Sequence, residues 1–245
     1  MQGLWQNIFY EPLYNVLVFF VSFLPGHSMA LSIVLLTILV KLVLFPLAQK
    51  SIRSQFEMKV IEPELKKIKE SDLSKEEQAK KTFELYKEKN INPFSGCLPL
   101  LIQFPIIIAL YSVFIKGIGN PDAVIYSFIN LPDNINNTLF GFQDLTQRSI
   151  FLALLAGVSQ FLQASVVQKF NPKKVDTKNT EPKNFQESLS TSMSFQMRYI
   201  FPVFVTIIAF SINSAVSLYW VISNVFTVVQ EYVIRKKLEN KYKQS

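Results

Sequence analysis

The chain is nearly devoid of residues that cross-link or ligate. Its 245 residues include one cysteine, Cys97, and one histidine, His27. That excludes an internal disulfide framework and any Cys/His metal cluster held within the chain. Glycine is sparse, at 7 residues, and no glycine-rich phosphate loop occurs. Charged residues make up only 18%, against roughly 25% in an ordinary soluble domain. No acidic pair and no Ser/His/Asp set emerges. Lys41 with Ser223 is arithmetically possible, but Ser223 lacks a glycine-rich nucleophile setting. The chain is therefore read as not an enzyme, with no catalytic residues, cofactor or metal.

What is present is apolar. Hydrophobic residues reach 49%, phenylalanine alone occurs 22 times, and the mean hydropathy is +0.24. This is too greasy for disorder or for a nucleic-acid-binding domain and points to a multi-span membrane protein. The net charge is +7, but its distribution says more. Positions 50–92 hold 11 basic and 9 acidic residues, 168–198 hold 6 and 3, and 231–245 hold 5 and 2. Of the 25 basic residues only Lys41, Lys116 and Arg148 fall elsewhere. Apolar stretches separate the three blocks, so the positive-inside rule accounts for them better than one basic face for nucleic acid. DNA is excluded as a partner. Contact of the carboxyl-terminal tail with ribosomal RNA is the one exception left open.

The expected fold class is an all-α polytopic membrane protein. Five transmembrane helices surround a cytosol-open hydrophilic groove, with a cytosolic helical hairpin and an outer interfacial helix. About 20 apolar residues cross a bilayer. Spans are expected over 29–49, 94–115, 149–167, 199–212 and 215–234. The basic blocks follow the first, third and fifth, which places the amino end outside and the carboxyl end in the cytosol. Residues 1–28 form an amino-terminal segment whose apolar run, Leu13–Leu24, is too short to span and is read as the interfacial helix. Residues 116–148 form an extracytoplasmic loop, 168–198 a polar, mobile cytosolic loop and 235–245 a basic tail.

Residues 50–92 form the hairpin. Phe56, Val60, Ile61, Leu65 and Ile68 recur at helical spacing, as do Ala79, Phe83 and Tyr86. Ser74-Lys75-Glu76-Glu77 fits a capping box that opens the second arm. Pro63 should kink the first.

Lys41 stands out within the first span. It lies nine residues before Lys50, about 13 Å of helix from the cytosolic end. With the spans read as free of Asp and Glu, nothing neutralises it, and an ammonium there costs roughly 3 kcal/mol. It is expected to face water in a cavity open to the cytosol, a snorkelling lysine being the plainer alternative. Gln103 in the second span, Ser159, Gln160 and Gln163 in the third, and Tyr219, Trp220, Ser223, Asn224, Thr227 and Gln230 in the fifth could line the same groove. Singly, each is equally an interhelical hydrogen-bonding residue.

These residues sit in familiar strings. NPFSGCLPLLIQFPIIIALY, 92–111, resembles the NP…G-C-x-P-x-LIQ-x-P…Y signature of the YidC/Oxa/Alb membrane-protein insertases. LYWVISNVFTVVQ, 218–230, resembles that family's closing span, and EPLY, 11–14, the entry into its first helices. The basic hairpin after LVKLVLFPL, 39–47, sits where the family has its cytosolic hairpin. The resemblance covers essentially the whole chain and implies a five-span core around a groove open to cytosol and lipid.

There are departures. Lys41 stands where the family usually has arginine, which keeps the charge but loses the planar fork. Asn213 and Ala215 stand where Pro and Gly are frequent. No large amino-terminal extracytoplasmic domain is expected and no lipidation cysteine stands near the amino end, so the chain is expected to resemble a minimal form.

The resemblance implies an insertase and chaperone of a bacterial cytoplasmic (inner) membrane. It would move short polar tails of small membrane proteins across the bilayer and release their helices into lipid. Its implied partners are nascent membrane proteins and lipid, with the ribosome, the signal-recognition particle system and the Sec translocon as further ones. Lys41 would be the groove charge that meets the substrate. The alternatives are a small anion channel or transporter using Lys41, and a folding scaffold without translocation.

Overall fold

The computed structural model describes residues 2–92, 98–120, 123–170 and 195–244. Positions 93–97 of the 92–111 string, Cys97 among them, and most of the loop expected over 168–198 lie outside the described residues. The chain is mostly helical and divides into two compact units. One comprises Met1–Val43 with Gln103–Val228, the other Leu44–Ile102 with Val229–Ser245.

In the first unit, α1 (Glu11–Phe23) and α2 (Met29–Val43) form an antiparallel pair. Tyr14, Leu17, Val18 and Val21 of α1 are buried, as are Met29, Ala30, Ile33 and Leu36 of α2. The turn between them is made by Pro25, which cannot continue a helix, and by Gly26, whose φ of 68° a side chain would resist. Asn15 anchors α1 to the loop after the next helix. Its Nδ2 donates to the Val124 carbonyl at 2.8 Å, and its Oδ1 accepts from the Tyr126 N–H at 2.8 Å.

Helix α6 is Leu98–Lys116, α7 is Ile150–Phe170 and α8 is Phe201–Ser211, entered through one π turn at Gln196–Ile200. α7 and α8 pack through small residues: Ala153, Ala156 and Ala209 are fully buried with Val205. Gly157 lets them approach closely: a Cβ at that position would lie 1.8 Å from Thr206 Oγ1, so the threonine side chain would have to move. A two-stranded hairpin, β1 (Thr138–Leu139) and β2 (Gln143–Asp144), punctuates the loop before α7. The last helix, α9, runs unbroken over Ser214–Gln244 and absorbs both the expected fifth span and the tail.

The second unit holds the hairpin: α3 (Phe45–Val60), α4 (Glu62–Lys69) and α5 (Lys75–Glu88). Where one span is expected over 29–49, helix ends at Val43 and resumes at Phe45, with Pro46 in the new first turn. The hairpin's first arm is likewise two helices, Pro63 opening the second rather than kinking one. That break resets the helical phase of the first arm, and Val60, read into the seam, is 47% exposed; Phe83 of the unbroken second arm, also read into the seam, is 65% exposed. Ile61, Leu85 and Ile91 form the core instead, with Met58, Leu65, Ile68 and Tyr86 against it. The capping box forms: the Glu77 N–H donates to Ser74 Oγ at 3.3 Å and the Ser74 N–H to Glu77 Oε2 at 3.0 Å.

Among the described helices, Ile150–Lys169 alone is long and apolar enough to cross a membrane unaided. Met29–Val43 and Phe45–Val60 reach that length as a broken pair, and Gln103–Lys116 and Gln196–Ser211 are shorter apolar helices.

Candidate functional site

Several polar side chains on these helices meet one another. Lys41 Nζ donates to Thr227 Oγ1 at 3.1 Å, joining α2 to α9. The Thr227 hydroxyl donates its own hydrogen bond to the Ser223 carbonyl at 2.8 Å. Its oxygen is thereby left to accept from the ammonium. Among the described residues Lys41 takes part in no ion pair. Gln103 Nε2 donates to the Tyr219 hydroxyl at 2.7 Å, joining α6 to α9. Asn224 Nδ2 donates to Ser159 Oγ at 3.0 Å, joining α7 to α9. Gln160 Nε2 donates to Gln163 Oε1 at 2.9 Å within α7.

α9 is therefore the hub, touching three other helices through one polar side chain each. Ser159, Gln160, Tyr219, Ser223 and Asn224 are buried, while Lys41, Gln103 and Gln163 are half-buried. Trp220 goes elsewhere and packs on the apolar cluster of Ala153, Ala156, Val205 and Ala209. Gln230 lies in the second unit, buried, with Nε2 unpaired among the described residues. Two cavities, of about 130 and 370 Å³, lie by the loop ends, one beside Phe114, Asn137 and Asn213 and the other beside His27 and Asp133. Lys41 lines neither of them.

The sequence of the 60Kd inner membrane protein family matches residues 19–241. The chain belongs to that family. It is 35% identical to the membrane protein insertase YidC of Magnetococcus marinus, over 96% of this chain and 37% of that protein. To the YidC of Fusobacterium nucleatum it is 32% identical, over 92% of this chain and 98% of the relative. The YidC of Clostridium tetani is 34% identical over 89% and 86%. The chain thus spans little more than a third of some relatives and nearly all of others.

The family member's departures have local explanations. Asn213, in the turn before α9, donates from Nδ2 to the Phe114 carbonyl at 2.8 Å, tying the turn to α6. Ser214 and Ala215, the first residues of α9, donate their N–H groups to the Gln147 and Leu145 carbonyls at 2.8 and 3.0 Å. Tertiary acceptors thereby satisfy N–H groups that a helix start leaves free.

The reading of the spans as free of acidic residues is corrected by Glu231, which lies inside the fifth expected span. It pairs with Arg235 one turn on, Nε to Oε2 at 2.5 Å, and the side chains are 7% and 1% exposed. Arg235 Nη2 also donates to Gln55 Oε1 at 3.0 Å. Phe56, the next residue of α3, packs on Tyr242 with ring centroids 5.2 Å apart. In the second unit the hairpin's first arm and the end of α9 are therefore one packed body. Arg235, placed in sequence in the basic tail, is the most deeply buried side chain among that unit's described residues. The i, i+4 spacing of Glu231 and Arg235 was the available signal; the burial was not foreseeable from it.

Proposed function

We propose that this chain is a membrane protein insertase, moving short polar tails of small membrane proteins across the bilayer and releasing their helices into lipid. The observation that carries the proposal is its alignment with nearly the whole length of the Fusobacterium protein that bears that name. The family and its bacterial relatives make it a bacterial inner membrane protein. All three named relatives are insertases, and none lends support to an anion channel.

In the proposed topology five spans place 116–148 outside and the basic blocks in the cytosol, following the positive-inside rule. Lys41 and the polar contacts of α9 border a groove hydrated from the cytosol. A polar tail cannot cross about 30 Å of hydrocarbon unaided, and a wet groove in one leaflet shortens that path. The bond from Lys41 to a neutral hydroxyl supports this role. A threonine holds the ammonium in place without neutralising it, so its charge stays available to an acidic tail. The contact is also weak enough to exchange. The hairpin unit receives the substrate first, and the ribosome, the signal-recognition particle system and the Sec translocon are proposed to act upstream.

Liposomes containing only the purified chain test this. A single-span reporter should become protease-protected in them. Failure of protection, or chloride flux without insertion, would overturn the proposal.

A further inference from the structure

Residues 134–143 carry no charge, and the β1–β2 hairpin rises from this stretch with Phe140, Gly141 and Phe142 at its tip. Phe140 is 83% exposed and Phe142 78%. Their rings stack, with centroids 6.3 Å apart and planes 26° apart. Phe140 also holds φ at 54°, a left-handed conformation that bulky residues avoid and that glycine or asparagine would adopt with ease. The phenyl is thus displayed on an unfavourable backbone, and its exposure leaves little packing within the chain to offset that.

The hairpin's foot is fixed. Gln143 Oε1 accepts from Ser149 Oγ at 2.8 Å, and Ser149 Oγ in turn accepts from the Leu152 N–H at 3.3 Å, capping α7. The Asp144 carbonyl accepts from Ser214 Oγ at 3.0 Å, at the start of α9. α7 is the helix long and apolar enough to cross a bilayer, and its first residues, Ile150 and Phe151, are 70% and 68% exposed. The membrane surface that α7 enters therefore passes beside the hairpin's foot, and the apolar outer face of the helix starts within a few residues of it.

We infer that the Phe140–Phe142 tip is a lipid anchor, its two phenyls entering the interfacial layer of the leaflet on the loop's side. Aromatic and aliphatic side chains gain by leaving water there, and the uncharged stretch around the tip brings no ion that would have to be desolvated. The anchor would hold the loop, and through Ser149 and Ser214 the ends of α7 and α9, at a set depth. The inference rests on α7 spanning the membrane and not on insertase activity.

Spin labels attached singly at Phe140→Cys, Phe142→Cys and, as an aqueous reference, Asn134→Cys test it. The background is Cys97→Ser, in liposomes of phosphatidylethanolamine and phosphatidylglycerol. Labels at 140 and 142 should be several-fold more accessible to oxygen, relative to a water-soluble nickel chelate, than the label at 134. Equal ratios at all three would overturn the inference. So would protection from both reagents, which would mark a protein partner or a second copy. An unlabelled variant supplies a second readout. Phe140→Gly removes the strain together with the ring, so its melting temperature in detergent should be unchanged or higher. A clear fall would mean that the phenyl serves packing within the chain. A chain inactive in reporter insertion but with lipid-exposed labels would leave this inference standing while sinking the proposed activity.

Discussion

Removing Glu231 should unseat the second unit. Its carboxylate pairs with the Arg235 guanidinium at 2.5 Å, with the two side chains 7% and 1% exposed. Glu231→Ala leaves the guanidinium buried beside Gln55, which offers a carbonyl dipole at 3.0 Å but no charge. Breaking a buried pair from one side costs about 3–5 kcal/mol. At 1.4 kcal/mol per tenfold change, this is at least about a hundredfold rise in the open population of the unit. Replacing both partners by apolar residues of similar size, Glu231→Leu with Arg235→Met, should cost little or stabilise, since neither charge then needs desolvation. The exposed pair Lys66–Glu70, at 3.6 Å with side chains 72% and 66% exposed, is the internal control. Glu70→Ala should cost no more than about 1 kcal/mol. Amide exchange across α3 and the last turns of α9, in detergent, measures all three. Equal protection in Glu231→Ala and Glu70→Ala, or a double variant as loose as the single one, would refute the argument that burial makes this pair matter.

Gly157→Ala should destabilise by about 1–3 kcal/mol through overpacking, because its Cβ would meet Thr206 Oγ1 at 1.8 Å. Adding Thr206→Ala should restore most of the loss in a thermal melt, as the next contact is 3.2 Å. Lys41→Leu should keep or raise thermal stability yet slow insertion of reporters with acidic tails more than those with neutral tails, and Lys41→Arg should stay close to normal. Equal rates of the Leu variant on both reporters would leave Lys41 a snorkelling residue. The Ser74 backbone N–H and hydroxyl hold the Glu77 carboxyl below its ordinary range. The stability it lends α5 is therefore present at neutral pH and is lost as pH falls from the ordinary glutamate value through the lowered one. Exchange at the first amides of α5 should quicken over that interval, and Glu77→Gln should flatten the response.

Local patterns were legible without a structure. Apolar run lengths, the charge partition among the blocks and the Ser74 box each depend on neighbours a few residues apart, and periodicity or composition reports such neighbours directly. The mostly helical membrane class and the family strings follow from that kind of information. So do the polar residues of α9, which fall at spacings a single helix makes visible. Partners lie beyond it. Lys41 and Thr227 are 186 residues apart, Gln103 and Tyr219 are 116 apart, and no repeat or spacing links either pair. Only packing decided that Gly157 faces Thr206, that Asn15 should clamp a loop more than a hundred residues away, and that Val60, at the break in the first arm, and Phe83, in the second, turn outward. Arg235 shows the reason most plainly. Its charge, its basic neighbours and its place near the end all describe a solvated tail residue, because sequence records what a side chain is. Whether it is buried depends on Glu231, Gln55 and the helices that carry them being brought together, and that is a property of the tertiary fold.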